Sequence, residues 1–240
     1  MISVGCEVIQ EGDRLIPLPH STGGSRTHVL VEFTGFRCMN CPTAAELAAE
    51  LAKEYDPRLI VVAMHPASNP FTQGLYDYTC PAADTYYTQL GGTPQTSFPK
   101  GSLDLAAYEG DYLLDMSSWT SAIYRSAQDS TSIVISLSAA MDTTSREVLI
   151  SSEWYSTGED AIEMVYWLVE DSVAGMQLMP DGSYNDAYIH RHMLRGEIAD
   201  QKPFVLDPAY DRRHCEIIAV AIDKINHTIR QAKQTHITIQ

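Results

Sequence analysis

The chain has no apolar run long enough to cross a membrane as a helix. Its longest, Leu59 to Met64, is about a third of the roughly 18 residues that a span requires. Basic charge is scarce as well. Sixteen Lys and Arg face 31 Asp and Glu, for a formal net charge of -15. Such a surface repels phosphate backbones, so nucleic-acid binding is not expected. Five cysteines in 240 residues cannot staple a chain of this size, and their spacing makes no zinc ribbon or finger. Tandem repeats and low-complexity tracts are also missing, which argues against solenoids and linkers. What remains, at 45% hydrophobic and 20% charged residues, is an ordinary globular composition for one large domain or two modest ones.

Residues 1–26 hold Pro17, Pro19, Gly23 and Gly24 without a sustained period of 2 or 3.6, and read as an irregular lead-in. Met1 to Gly5 supplies neither the basic region nor the apolar region of a secretory signal. Val4-Gly5-Cys6 ends like a bacterial lipoprotein cleavage site, which makes Cys6 a lipid acceptor and the chain membrane-tethered; an incidental free cysteine is the alternative. The pair Cys38 and Cys41 leaves Cys6, Cys80 and Cys215, an odd set that lipidation of Cys6 would resolve.

The most informative segment is VLVEFTGFRCMNCP, residues 29–42, followed by TAAELAAELAKEY. Its first half, apolar on both faces, predicts a buried strand. In its second half Ala44, Leu47, Ala48, Leu51, Ala52 and Tyr55 recur at steps of 3 and 4, which predicts a helix beginning at the cysteines. Pro42 is tolerated in the first turn because its missing N–H has no intrahelical partner there. A dithiol at a helix N-terminus is activated by unpaired N–H groups and the helix dipole. Cys38, beside Arg37, is therefore expected to be the nucleophile and Cys41 the resolving thiol. Asp56-Pro57 ends the helix, and Leu59 to Met64 predicts a second buried strand. Pro94, in GGTPQTSF, falls in a strand-like stretch, so Thr93-Pro94 is read either as a cis bond beside the cysteines or as an ordinary trans turn. Residues 117–128 carry Trp119, Ala122, Ile123 and Ala127 at helical spacing.

On these residues the chain resembles thioredoxin-fold proteins. Glu32 precedes Cys38 by six positions, as the buried acid of that family precedes its nucleophile, and Thr93-Pro94 resembles the cis-proline loop. The resemblance implies that Glu32 relays a proton to Cys41, and that Thr93 and Pro94 dock a substrate backbone as an added strand would. Arg37 stands where a tryptophan is usual, and Met39-Asn40 replaces Gly-Pro, so the redox direction does not carry over. Over both halves the chain resembles the twenty-eight-kilodalton outer-membrane protein family of Bacteroidetes-type bacteria, through VLVEFTGFRCMNCP, GGTPQTSFPKG and VYWLVEDSVAGMQLMPDGSYNDAYIHRHMLRG. That resemblance implies an envelope lipoprotein with a thioredoxin-like domain and a β-sandwich.

From Ser130 onward, period-2 runs separated by Asp142-Thr143-Thr144, Asp181-Gly182-Ser183 and Asp223 to Asn226 predict antiparallel strands. The expected fold is thus an α/β thioredoxin-like domain over 27–129 followed by an all-β, immunoglobulin-like sandwich over 130–240. Trp154, Tyr155, Tyr166 and Trp167 are expected in its core rather than as a binding platform. His190 and His192 would share a face if Tyr188 to Leu194 were one strand, but no third metal ligand is evident. Cys215 reads as a core residue, and Cys80, before Pro81, as a buried or spare thiol, with a redox role the alternative.

These readings converge on a thiol-disulfide oxidoreductase of the bacterial envelope, with protein or peptide thiols and disulfides as substrates. An unidentified electron donor or acceptor completes the cycle, and no metal or organic cofactor is required. A non-catalytic surface binding or adhesion lipoprotein, its disulfide a crosslink, is the second reading. Metal delivery by Cys38, Cys41 and His65 is the third.

Overall fold

The computed structural model describes residues 24–159, 161–198 and 201–240, so the lead-in up to Gly23, with the proposed lipid acceptor Cys6, lies outside the described residues. The first half comprises β1 (Gly24–Ser25), β2 (His28–Phe33), α1 (Cys41–Glu54), β3 (Leu59–Met64), α2 (Pro81–Gln89), β4 (Lys100–Leu103) and α3 (Met116–Ser126). Every residue of β2 and β3 is buried; β3 is apolar throughout, whereas β2 takes His28 and Glu32 inside along with its apolar residues. The two pair in parallel from His28 opposite Leu59 to Phe33 opposite Met64, and β4 adds antiparallel to β2 at the sheet edge.

Among the described residues α3 is the last helix, and all later elements are strands: β5 (Ser130–Thr131), β6 (Ile133–Met141), β7 (Glu147–Ser156), β8 (Ile162–Glu170), β9 (Val173–Leu178), β10 (Tyr184–His190), β11 (Met193–Ile198), β12 (Phe204–Val205), β13 (Cys215–Asp223) and β14 (Ile229–Ile239). The molecule is mostly β. Ten of the described strands join in one mixed sheet, in the order β12-β7-β6-β14-β13-β8-β11-β3-β2-β4. Met193 opposite Ala63 is the parallel bridge that carries it from one half into the other.

The packing is layered. On one face of β2 and β3, Leu30, Leu59 and Val61 meet Ala44, Ala48 and Leu51 of α1 and Trp119 and Ile123 of α3. On the other, Val29, Val31, Ile60 and Val62 meet Trp167, Val169, Ile218 and Val220 from β8 and β13. The alternate side chains of β13, Ile217, Ala219 and Ala221, face a second core with Ile133, Met141, Val148 and Ile150 of β6 and β7. β13 is therefore buried on both faces over its whole length. β14 pairs antiparallel with β13 from Ile229 to His236, then parallel with β6 from Ile237 to Ile239, and so closes both layers. A polar clasp binds the halves: Asp104 accepts from Arg26 at 2.8 Å and faces His28 Nδ1 at 2.6 Å, while the Arg26 guanidinium also donates to the carbonyl of Ile229.

Three expectations need correction. Thr93-Pro94 is not cis; among the described residues the cis bonds are Asp56-Pro57 and Phe98-Pro99. Pro99 adjoins the start of the edge strand β4, where an absent N–H is easily tolerated, whereas Thr93 and Pro94 are exposed in the preceding turn. His190 ends β10 and His192 lies outside both β10 and β11, with φ 51°, so the two do not share a strand face. Trp154 and Tyr155 are 39% and 59% exposed, unlike Trp167 and Tyr166: β7 stands near the sheet edge, and only one of its faces meets the second core.

Candidate functional site: the Cys38–Cys41 disulfide

Cys38 and Cys41 are joined by a disulfide, with Cα atoms 5.4 Å apart. The motif follows β2 directly. Gly35 permits the turn, because a Cβ there would stand 2.5 Å from the carbonyl oxygen of Phe71. Cys38 N–H donates to Gly35 O at 2.9 Å and Cys41 N–H to Cys38 O at 3.3 Å. Cys41 is the first residue of α1; Asn40 gives no side-chain cap and the first turn carries no acid. The positive end of the helix dipole therefore meets no carboxylate of its own first turn.

Glu32 points to the helix side of β2 and is 2% exposed. Burial pushes its carboxyl up to about 8, and Oε1 has no hydrogen-bond partner among the described residues. Glu32, Cys41, His65, Gln177, Tyr188 and His190 all face one cavity of about 20 Å³, room for a single water. His65 is 1% exposed, with both ring nitrogens unpartnered among the described residues; burial, then the neighbouring His190, holds it well below the ordinary histidine range. Burial likewise lowers His190 to about 4 and raises Tyr188 to about 12. Desolvation thus favours the neutral forms of Glu32, His65, Tyr188 and His190, and among these it is the carboxyl of Glu32 that keeps at neutral pH a proton it would ordinarily have lost. A surface cleft of about 430 Å³ between α1 and β10 shares Ala45, Tyr188 and Arg191 with this cavity.

Both cysteines are only 2% exposed. Arg37 is exposed, and its guanidinium donates to Gln73 O at 3.3 Å rather than turning to the sulfurs. Thr93 and Pro94 are exposed, and neither is hydrogen-bonded to Cys38 or Cys41. Their loop is tied to the motif through Asn69, which donates to Thr96 O and accepts from Phe71 N–H, while Phe71 O accepts from Arg37 N–H. Phe98, further along that loop, shares an apolar cluster with Cys38 and Cys41. Cys80 and Cys215 are free and buried. Burial raises both thiols, Cys215 to about 12, which leaves them little thiolate. Among the described residues no group of three His, Cys, Asp or Glu is placed to hold a metal ion.

Sequence reasoning did not find Gln177 and Tyr188, and it singled out His190 only for a metal pair with His192, not for a place beside the disulfide. Gln177, Tyr188 and His190 come from β9 and β10, about 140 residues downstream of the motif, and the signal available was the Asp181-Gly182-Ser183 turn that makes these strands a hairpin.

No family model matches the chain, and no curated protein matches it. Solved structures do. HBP35 of Porphyromonas gingivalis aligns with a TM-score of 0.67 at 17% identity, covering 90% of this chain and 76% of that one. A crystal structure of a protein from Agrobacterium tumefaciens aligns at 0.48, with 14% identity over 88% of this chain and 94% of that one. A domain of the outer membrane lipoprotein Omp28 from Porphyromonas gingivalis aligns at 0.30, with 15% identity over 46% of this chain and 91% of that one. The last two are too distant to carry an argument. This chain shares its overall fold with HBP35, and a shared fold leaves function to be argued from the site.

Proposed function

We propose that the chain is a thiol-disulfide oxidoreductase of the bacterial cell envelope, its first half thioredoxin-like and its second an immunoglobulin-like sandwich, acting on protein or peptide thiols and disulfides. The observation that carries the reading is Glu32. A desolvated carboxyl with an unpartnered oxygen destabilises a fold, and a structural crosslink has no use for one. A disulfide that opens and closes does, because Cys41 must gain and lose a proton in the interior.

In the reducing half-cycle a thiolate attacks Cys38 Sγ, forming a mixed disulfide and expelling Cys41 Sγ with the bonding pair; that sulfur takes the proton of Glu32. A second thiolate then attacks the mixed disulfide and frees Cys38. In the oxidising direction the same atoms run backwards, and Cys41 attacks the mixed disulfide at Cys38 once Glu32 has taken its proton. Electrons come from or go to a separate thiol or disulfide partner; no metal or organic cofactor enters. The fold shared with HBP35 of Porphyromonas gingivalis fits the Bacteroidetes-type family that the sequence resembles. The same resemblance supports envelope location and an anchor at Cys6, and the net charge of -15 speaks against nucleic acid.

A second reading has its own support. Burial of both cysteines to 2% exposure is what a crosslink in a binding or adhesion lipoprotein would show. Titration against a glutathione series separates the two. A midpoint between about -120 and -270 mV establishes exchange chemistry, and a pair still oxidised below about -300 mV establishes a crosslink.

A further inference from the structure

Among the described residues, β9 and β10 pair with each other and with no other strand, yet their hairpin is fastened onto the motif. Leu178 N–H donates to Phe36 O at 2.7 Å. Gln177, 2% exposed, donates from Nε2 to Cys38 O at 2.9 Å, and reaches Gly35 O at 3.5 Å. Below it the hairpin packs closely: a Cβ on Gly175 would fall 1.8 Å from the hydroxyl of Tyr78, and the Tyr78 and His190 rings lie 4.7 Å apart. Val173 and Met176 of the hairpin pack on Phe36 and Tyr78, while the buried Gln177 amide, which also donates to Leu178 O at 3.0 Å, meets the carbonyl of the very cysteine that exchange must reach. A buried amide is a poor choice for packing alone, since apolar groups cover a disulfide without needing partners. It is well suited to a contact that breaks and reforms, because water can satisfy both the amide and the carbonyl once they separate.

We infer that Gln177 is a positioning residue that pins the β9–β10 hairpin as a lid over the Cys38–Cys41 disulfide, so that a thiol reaches Cys38 only when the hairpin lifts. The inference rests on the oxidoreductase reading and deepens it. The closed form protects the disulfide from small thiols at large, and the open form exposes Cys38 together with the flanking Phe36 and Tyr78, an apolar rim suited to an extended polypeptide segment. The lid governs how fast exchange occurs. Its equilibrium potential is left to the sulfurs and Glu32.

The test is the rate at which dithiothreitol reduces the full oxidised chain at fixed pH, followed by acid quench, alkylation and mass mapping of Cys38 and Cys41. Gln177→Ala removes the pin, and Gln177→Glu keeps its size but replaces the donor with an acceptor. Both are expected to be reduced about tenfold faster than wild type, the effect of losing roughly one buried hydrogen bond from the closed state. Their glutathione midpoints are expected to match wild type, which a general loosening of the fold would not leave unmoved. Should either variant fail to fold, Gly175→Ala, which wedges the hairpin against Tyr78, serves as the second probe with the same expected acceleration. Reduction of wild type within about threefold of the folded variants overturns the lid. A midpoint below about -300 mV with accelerated variants would instead overturn the oxidoreductase reading and leave the lid standing, so the two failures are distinguishable.

Discussion

The two most deeply buried glutamates among the described residues have surroundings that differ in kind. Glu170, at the end of β8, is 4% exposed; it receives Arg195 Nε and Nη2, each at 2.7 Å, and the N–H of Asp211 at 2.7 Å. Glu32, at 2% exposure, has an oxygen with no partner among the described residues and is held neutral by desolvation. The first carboxylate is a structural joint between β8, β11 and the loop before β13. The second lies beside a disulfide and holds a proton in reserve. Burial does not tell a structural carboxyl from a chemical one in this fold; the partners do.

The largest effect that sharpens the contrast is expected at Arg195. Arg195→Met leaves Glu170 buried without its cation, and should cost about 4 kcal/mol in urea unfolding while leaving the redox midpoint unmoved. A shifted midpoint would break the contrast. Next comes the pH dependence of stability. The Glu32 carboxyl is raised from 4.5 to about 8 on folding, so the stability of its protonated form is fully present below pH 4.5 and is lost as pH rises through 8. Glu32→Gln should therefore gain on wild type between pH 5 and pH 9 by on the order of 4 kcal/mol; parallel stability curves would show that Glu32 titrates normally. The same substitution should slow disulfide exchange by about a hundredfold below pH 8, with the gap narrowing above it as wild-type Glu32 loses its proton. Stopped-flow reduction at several pH values reads this, and equal rates at pH 6 would remove Glu32 from the reaction. The smallest effect is expected at His65, whose two nitrogens have no partner among the described residues. His65→Phe should be neutral or stabilising by about 1 kcal/mol, and a loss of several would show that water satisfies them.

Much of the first half was legible because its signals are local. The buried strand, the cysteine turn and the helix that follows lie within 27 consecutive residues, His28 to Glu54, and both hydrophobic periods are visible there. The burial of Glu32 was legible too, since apolar residues flank it in β2 and β2 is paired on both sides, by β3 and β4. The strands of the second half show their period of 2, but that period does not say which face meets a core. Trp154 and Trp167 look alike in sequence, and differ because β7 has one buried face while β8 lies between two packed layers. Pro94 and Pro99 likewise compete within a few residues, and the start of β4 at Lys100, set by pairing with Phe33, distinguishes them. The covering of the disulfide was illegible for a deeper reason. It depends on a hairpin whose inward residues, Gln177 and His190, are polar, so hydrophobic patterning places them outside.

The distance along the chain between the motif and its cover has a consequence for biogenesis. Gln177 follows Cys38 by 139 residues, which at about 5–20 residues per second is roughly 7 to 28 seconds of synthesis. In that interval the two thiols are made and the segment that shelters them is not. An oxidant of the cell envelope that meets the chain as it emerges can thus close the bond while the turn is still open, and the finished protein then encloses a disulfide that it did not have to admit any enzyme to make.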